Sequence, residues 1–159
     1  MSEERWVEVI NVFLSEPDFL TSSWELAWNA GWAHFKIGDY ATAMELIGRS
    51  TEIASQNATA WWALGAVQVE VDDLEAAETN LRRALDIKDS ALARQSLALV
   101  LMKQARWSEA ETVHKEGIDL RPESGPRWKS YGAFLSDMGR REEAMNAYKR
   151  YRALRGKTR

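Results

Sequence analysis

Two small-residue positions recur along this chain with one spacing. Gly31, Gly65, Ala98 and Gly132 are separated by 34, 33 and 34 residues, and Ala43, Ala77, Ala110 and Ala144 by the same three intervals. Because two independent positions share one period, chance is a poor explanation. A period in this range marks a stack of like supersecondary units, each unable to bury its apolar face alone.

Each unit reads as two helices. The first helix of the first three units follows a capping residue, at Ser22 or Ser23, Asn57 and Ser90, whose side-chain oxygen can accept from a free N–H of the first turn. The fourth begins near Gly125-Pro126, where proline suits a first helical turn. "GDY", "DDL", "ARW" and "GRR" then mark a tight turn before the second helix. Two antiparallel helices approach closely only where a side chain is very small. One small position falls midway along the first helix and the other early in the second, so together they predict the contact points of a helical hairpin. Residues 1–23 stand outside the period. Trp6, Val9, Ile10, Phe13 and Leu14 follow helical spacing, and Pro17 disfavours a helical residue before it, which predicts an N-terminal capping helix and linker. The units are then 24–57, 58–90, 91–124 and 125–158, forming one continuous domain.

The pattern resembles the tetratricopeptide repeat family. Unit two carries Trp61, Leu64-Gly65, Ala77, Leu81 and Ala84. Unit one has Gly31, Gly38-Asp39-Tyr40, Ala43 and Ile47; unit three has Leu97-Ala98, Trp107, Ala110 and Pro122; unit four has Trp128, Tyr131-Gly132, Gly139, Ala144 and Tyr148. Departures are Ala27 and Arg94 at the tryptophan position, His114 at an apolar position and Arg141 at the turn tyrosine. The resemblance implies an all-α fold, a right-handed superhelical solenoid of antiparallel helix pairs in which the first helix of each pair lines a concave groove.

Reaction chemistry finds no foothold in the sequence. No cysteine is present, which excludes thiolate catalysis, disulfides and a Cys-ligated metal. The two histidines, His34 and His114, fall at repeat positions that face packed helices. No phosphate loop, HExxH helix or GxSxG elbow occurs. Acidic pairs such as Asp72-Asp73 and Glu142-Glu143 sit at helix starts, where the helix dipole accounts for them. The expectation is a non-enzyme with no cofactor and no metal. A net charge of −3 argues against nucleic acid as the main partner. No stretch is long and apolar enough to span a bilayer. The acidic start MSEERWVEVINVFL lacks the charge of a secretory signal, so the chain reads as cytoplasmic.

On a helix at about 100° per residue, Trp28, Trp32 and Phe35 point away from Ala27, Ala30 and Gly31. The small face seats the second helix, and the aromatic face needs another cover. The family's register places Trp28, Trp32, Phe35, Trp62, Val69, Leu99 and Met102 in the groove as an apolar strip, with Lys103 and Lys129 in its more polar C-terminal half. The carboxylate clamp through which some relatives hold acidic peptide tails would need polar or basic residues where this chain has Trp28, Trp32, Ala63, Leu92 and Ser96. A large apolar strip invites aggregation unless covered. A peptide or helix of a partner, the N-terminal helix, or a second copy in a homodimer could cover it. The leading expectation is a protein–protein interaction module or scaffold that binds an apolar or amphipathic partner segment. The alternatives are a dedicated chaperone similar to those of type III secretion, and a regulatory domain of a larger protein.

Overall fold

The computed structural model describes residues 23–155 and, before them, Trp6, Val7, Ile10 and Asn11. Those four are helical, and Ile10 is buried. Val9, Phe13, Leu14 and the break expected at Pro17 lie outside the described residues.

The remaining helices alternate in length with a regularity that mirrors the sequence period. They are α1 (Trp24–Lys36), α2 (Tyr40–Ile53), α3 (Ala58–Glu70), α4 (Leu74–Ile87), α5 (Ala91–Lys103), α6 (Trp107–Leu120), α7 (Gly125–Asp137) and α8 (Arg141–Arg155). No strand occurs among the described residues. The chain divides into two compact units, residues 1–89 and 90–159. In the first, α1 pairs with α2 and α3 with α4, while α3 also packs on α2 and α1. In the second, α5 pairs with α6 and α7 with α8, while α7 also packs on α6 and α5.

Caps fix where the helices start. Ser23 accepts from the Leu26 N–H, Asn57 from Thr59 and Ala60, and Ser90 from Ala93. At the second helices of the first unit an aspartate does this work, Asp39 at α2 and Asp73 at α4. The second unit replaces aspartate by arginine at the same repeat position. The Arg106 guanidinium grips Glu109 through two bonds of 2.7 Å, and Arg140 grips Glu143 at 2.7 and 2.6 Å. The forked pairing fits guanidinium and carboxylate geometry.

A third periodic position emerges in the turns. Gly38, Asp72, Ala105 and Gly139 all have left-handed backbone, with φ of 83°, 60°, 59° and 73°. Each lies in the three-residue turn between the helices of a pair. Glycine accepts this conformation freely. Ala105 does not, and its Cβ crowds the following carbonyl.

Small residues close the hairpins, as the sequence predicts. A Cβ on Gly31 would lie 2.6 Å from Ile47 Cγ1, and one on Gly65 would lie 2.8 Å from Leu81 Cγ. Ala43, Ala77, Ala110 and Ala144 are all buried. Above these contacts the tryptophans of the repeat act as clasps. Trp61 Nε1 donates to the Ser55 carbonyl at 2.9 Å, and Trp128 Nε1 donates to the Pro122 carbonyl at 2.7 Å. Both bonds reach back six residues, tying the start of a pair to the loop before it. Trp107 is different. It is the first residue of α6 and 43% exposed.

Two outcomes follow for stability, both read by urea unfolding monitored through circular dichroism. Gly31→Val forces a branched side chain into Ile47 and destabilises the protein by about 2–3 kcal/mol. Ala105→Gly relieves the left-handed turn and stabilises it by about 0.5–1 kcal/mol, the strain relieved less the added chain entropy.

Candidate partner-binding surfaces

In the first unit, four of the residues assigned to the groove form one aromatic cluster. Trp28 and Trp32 stack with ring centroids 5.7 Å apart and planes 7° from parallel. This follows from their spacing of four on α1, which sets one ring above the other. Trp32 also meets Phe35 at 4.8 Å and, across to α3, Trp62 at 5.4 Å. Phe35 touches Tyr40 at the start of α2. The Lys36 ammonium sits 4.8 Å above the Trp32 ring and 5.1 Å from Phe35. Such ring pairs contribute about 0.5–1.5 kcal/mol each beyond the area they bury.

The cluster rests on a buried floor of Ala43, Ile47, Ala63 and Val67. Its four rings are themselves only half-buried. The Trp28 indole N–H is sealed from solvent and has no hydrogen-bond partner, a deficit that ordinarily costs about 1–3 kcal/mol. Val69 is 7% exposed and presents almost no surface. Trp24 is half-buried.

In the second unit a groove of about 220 Å³ runs between α5 and α7. Leu92, Gln95, Leu99 and Met102 line it from α5, and Ala133 and Asp137 from α7. Leu92 is 50% exposed and Leu99 46%. Lys103 and Lys129 are exposed and lie outside this lining. Ser96, Ser130, Phe134 and His114 also line the groove. Sequence reasoning placed Ser96 at a clamp position of the groove but did not assign Phe134 or His114, because its inward register used only some positions of each first helix. The available signal was His114, a polar residue where the other units have Ile47, Leu81 and Tyr148.

His114 is buried and held by rings rather than by a charge partner. Its imidazole lies 5.9 Å from Tyr131 and 5.2 Å from Phe134, both on α7. Burial pushes its pKa down to about 4, against a smaller upward pull from Glu111. Glu111 stands one turn earlier on α6 and gathers the charges. It accepts from Arg140 at 2.7 Å and from the Tyr131 hydroxyl at 3.0 Å, and it pairs with Lys115 at 2.8 Å. The Arg140 bond, followed by that of Lys115, holds its pKa down to about 2. Burial, with help from Glu111, lifts the Tyr131 phenol to about 12. Arg94, which replaces the repeat tryptophan, reaches across to α6 instead, to the Val113 carbonyl and to Glu116, both at 3.2 Å. Gly117 makes room for it: a Cβ there would lie 2.7 Å from Arg94 Cδ.

The other histidine, His34, bonds through Nδ1 to Asp39 at 2.9 Å, and the same aspartate caps α2. That pairing is structural. Among the described residues no group of three or more His, Cys, Asp or Glu is placed to hold a metal ion, and no helix is long and apolar enough to cross a membrane.

His114 and Glu111 fix a pH dependence on the acid side. The native state keeps His114 neutral while the unfolded chain takes up a proton near its ordinary value of 6.5. Stability is therefore full above that value and falls as pH drops from 6.5 toward 4. Glu111 is ionised in the fold below the ordinary value of 4.5, so its contribution is present above 4.5 and disappears as pH falls toward 2. His114→Leu flattens the upper part of this loss, measured by urea titrations at several pH values. An unchanged slope in that variant contradicts the assignment.

Comparison with known proteins agrees with this architecture. Residues 25–57 and 58–90 match the family model of the tetratricopeptide repeat. No curated protein sequence matches the chain. Among solved structures, a crystal structure of MamA is similar with a TM-score of 0.69 at 23% identity, over 94% of this chain and 85% of that one. The MamA MSR-1 C2 structure is similar with a TM-score of 0.68 at 25% identity, over 98% of this chain and 90% of that one. Residues 25–90 thus carry two matches to the tetratricopeptide repeat, and the helix pairs share the fold of the MamA structures, a fold that supports a scaffold role in protein–protein interaction.

Proposed function

We propose that this chain is a non-enzymatic scaffold that binds an apolar or amphipathic segment of a partner protein through the first helices of its repeats. The observation that carries the reading is the cluster of Trp28, Trp32, Phe35 and Trp62, four rings in mutual contact left half open on the first unit. Rigid aromatic side chains in such a place dominate binding energy where a partner excludes water from them. Exposed Leu92 and Leu99, beside Met102 in the groove of the second unit, offer the same chemistry to the same kind of ligand. Lys36, over the rings, suits a segment with an acidic residue at its edge.

The test uses the protein that co-purifies with the native chain and measures its affinity for folded variants. Trp28→Ala and Leu99→Glu each weaken binding by about tenfold or more, which is about 1.4 kcal/mol. Circular dichroism confirms that each variant keeps its helices. Unchanged affinity in both folded variants overturns the proposal.

A further inference from the structure

One polar side chain of the second unit is buried without a hydrogen bond. His114 is 6% exposed. Among the described residues the interactions of its imidazole are ring contacts with Tyr131 and Phe134 and the field of Glu111. Neither ring nitrogen has a hydrogen-bond partner there, and neither is sealed from solvent as the Trp28 N–H is. The opening they reach is the groove between α5 and α7, which His114 lines. Burial keeps this imidazole neutral, so it carries one donor and one acceptor nitrogen. A buried polar group left in this state is the exception in a folded protein.

The charge of the groove has one sign. Asp137 is the carboxylate of its lining, and no lysine or arginine belongs to that lining. Asp137 is exposed and has no ion pair or hydrogen bond among the described residues. It is also the last residue of α7, where free carbonyls already give the helix end a negative partial charge. No basic residue in the last turn of α7 offsets it. A carboxylate in this place therefore works against its own helix. Glu111, behind His114, is matched instead by Arg140 and Lys115. Asp137 follows Phe134 by three residues on α7, about 4.5 Å of helical rise, which brings the two unmatched acceptors to the same stretch of the groove. At about 220 Å³ the space is smaller than the roughly 300–1,000 Å³ of sites that hold whole small molecules, and it suits one side chain.

We infer that this groove selects a basic side chain of the partner segment, an arginine, whose stem lies along Leu99 and Met102 and whose guanidinium donates to His114 and Asp137. The inference rests on the reading that the first helices hold a partner segment, and it names the residue type that the second unit recognises. A guanidinium presents five donors in one plane and lies flat on aromatic rings such as Phe134. It fills the empty acceptor of the imidazole and offsets the carboxylate at the end of α7. An acidic side chain would add a second negative charge beside Asp137 and find no cation in the lining.

The probe is n-propylguanidinium, an arginine side chain without its backbone, titrated into the full chain. Binding is followed by NMR of the His114 ring and of the Ser130 and Ala133 amides. Butyramide, uncharged and of similar size, and butyrate serve as controls. The guanidinium shifts all three sets of signals to saturation, the controls do not, and salt weakens the effect. Asp137→Asn and His114→Leu each reduce affinity by about tenfold, a usual loss for a hydrogen bond to a charged group, read from the two amides. Circular dichroism confirms that both variants keep their helices. Asp119→Asn, at an exposed position of α6 outside the lining, leaves binding unchanged. Equal shifts with butyramide, guanidinium shifts that spare the His114 ring, no shifts at all, or indifference to both variants overturns the inference. So does a His114 ring signal that moves, without any probe, when residues 156–159 are removed, because Lys157 or Arg159 of the chain itself then occupies the groove. A negative titration beside a partner affinity that still falls with Trp28→Ala removes the arginine assignment and leaves the scaffold reading in place.

Discussion

The close approach of two helices at a residue with almost no side chain is the contact on which the rest of each unit depends. Gly31 admits Ile47, and Gly65 admits Leu81, at distances a methyl group would not tolerate. That approach commits one face of each first helix to its partner. The larger residues must then go elsewhere, and on α1 they go to the opposite side as a stack of rings. The aromatic surface is thus a consequence of hairpin geometry as much as of any ligand. Close packing and a sticky exterior are two faces of the same thirteen-residue helix.

Where the repeat pattern is broken, the structure substitutes one interaction for another of similar reach. Arg94 stands where a tryptophan clasp is expected and reaches α6 by hydrogen bonds, through space left by Gly117. Arg106 and Arg140 replace capping aspartates and recover order at the helix start by gripping a glutamate one turn on. His114 takes an aliphatic position and is accommodated by two rings from the next helix. Each exchange brings a basic side chain or an imidazole to a position that the other repeats fill with an apolar residue or a capping carboxylate.

The helix pairs, their turns and their contact points were legible in the sequence because small residues, caps and turn residues act locally. A glycine at a fixed interval has one steric meaning, and Gly38 and Gly139 announce their turns. Asp72 and Ala105 mark theirs more weakly, since aspartate enters left-handed backbone only occasionally and alanine pays for it; their register with the two glycines reveals the shared conformation. The stacking of Trp28 on Trp32 could be read from their spacing, whereas the approach of Trp62 required α3 to be in place. The charge network around Glu111 was hidden for the same reason. It joins residues from two helices, α6 and α7, and from the turn before α8, and no single stretch of sequence contains its logic.

The contacts that close the hairpins join residues sixteen apart in sequence, Gly31 with Ile47, Gly65 with Leu81 and Gly132 with Tyr148. Closing so short a loop costs little chain entropy, and the cost grows only slowly with loop length. Each pair can therefore meet early, before distant parts of the chain have found one another, and proteins built from such local contacts fold fast for their size. The same locality means that each hairpin can close as soon as its own second helix has been made. The three-residue turns, which look like mere connectors in the finished protein, set the order in which it comes into being.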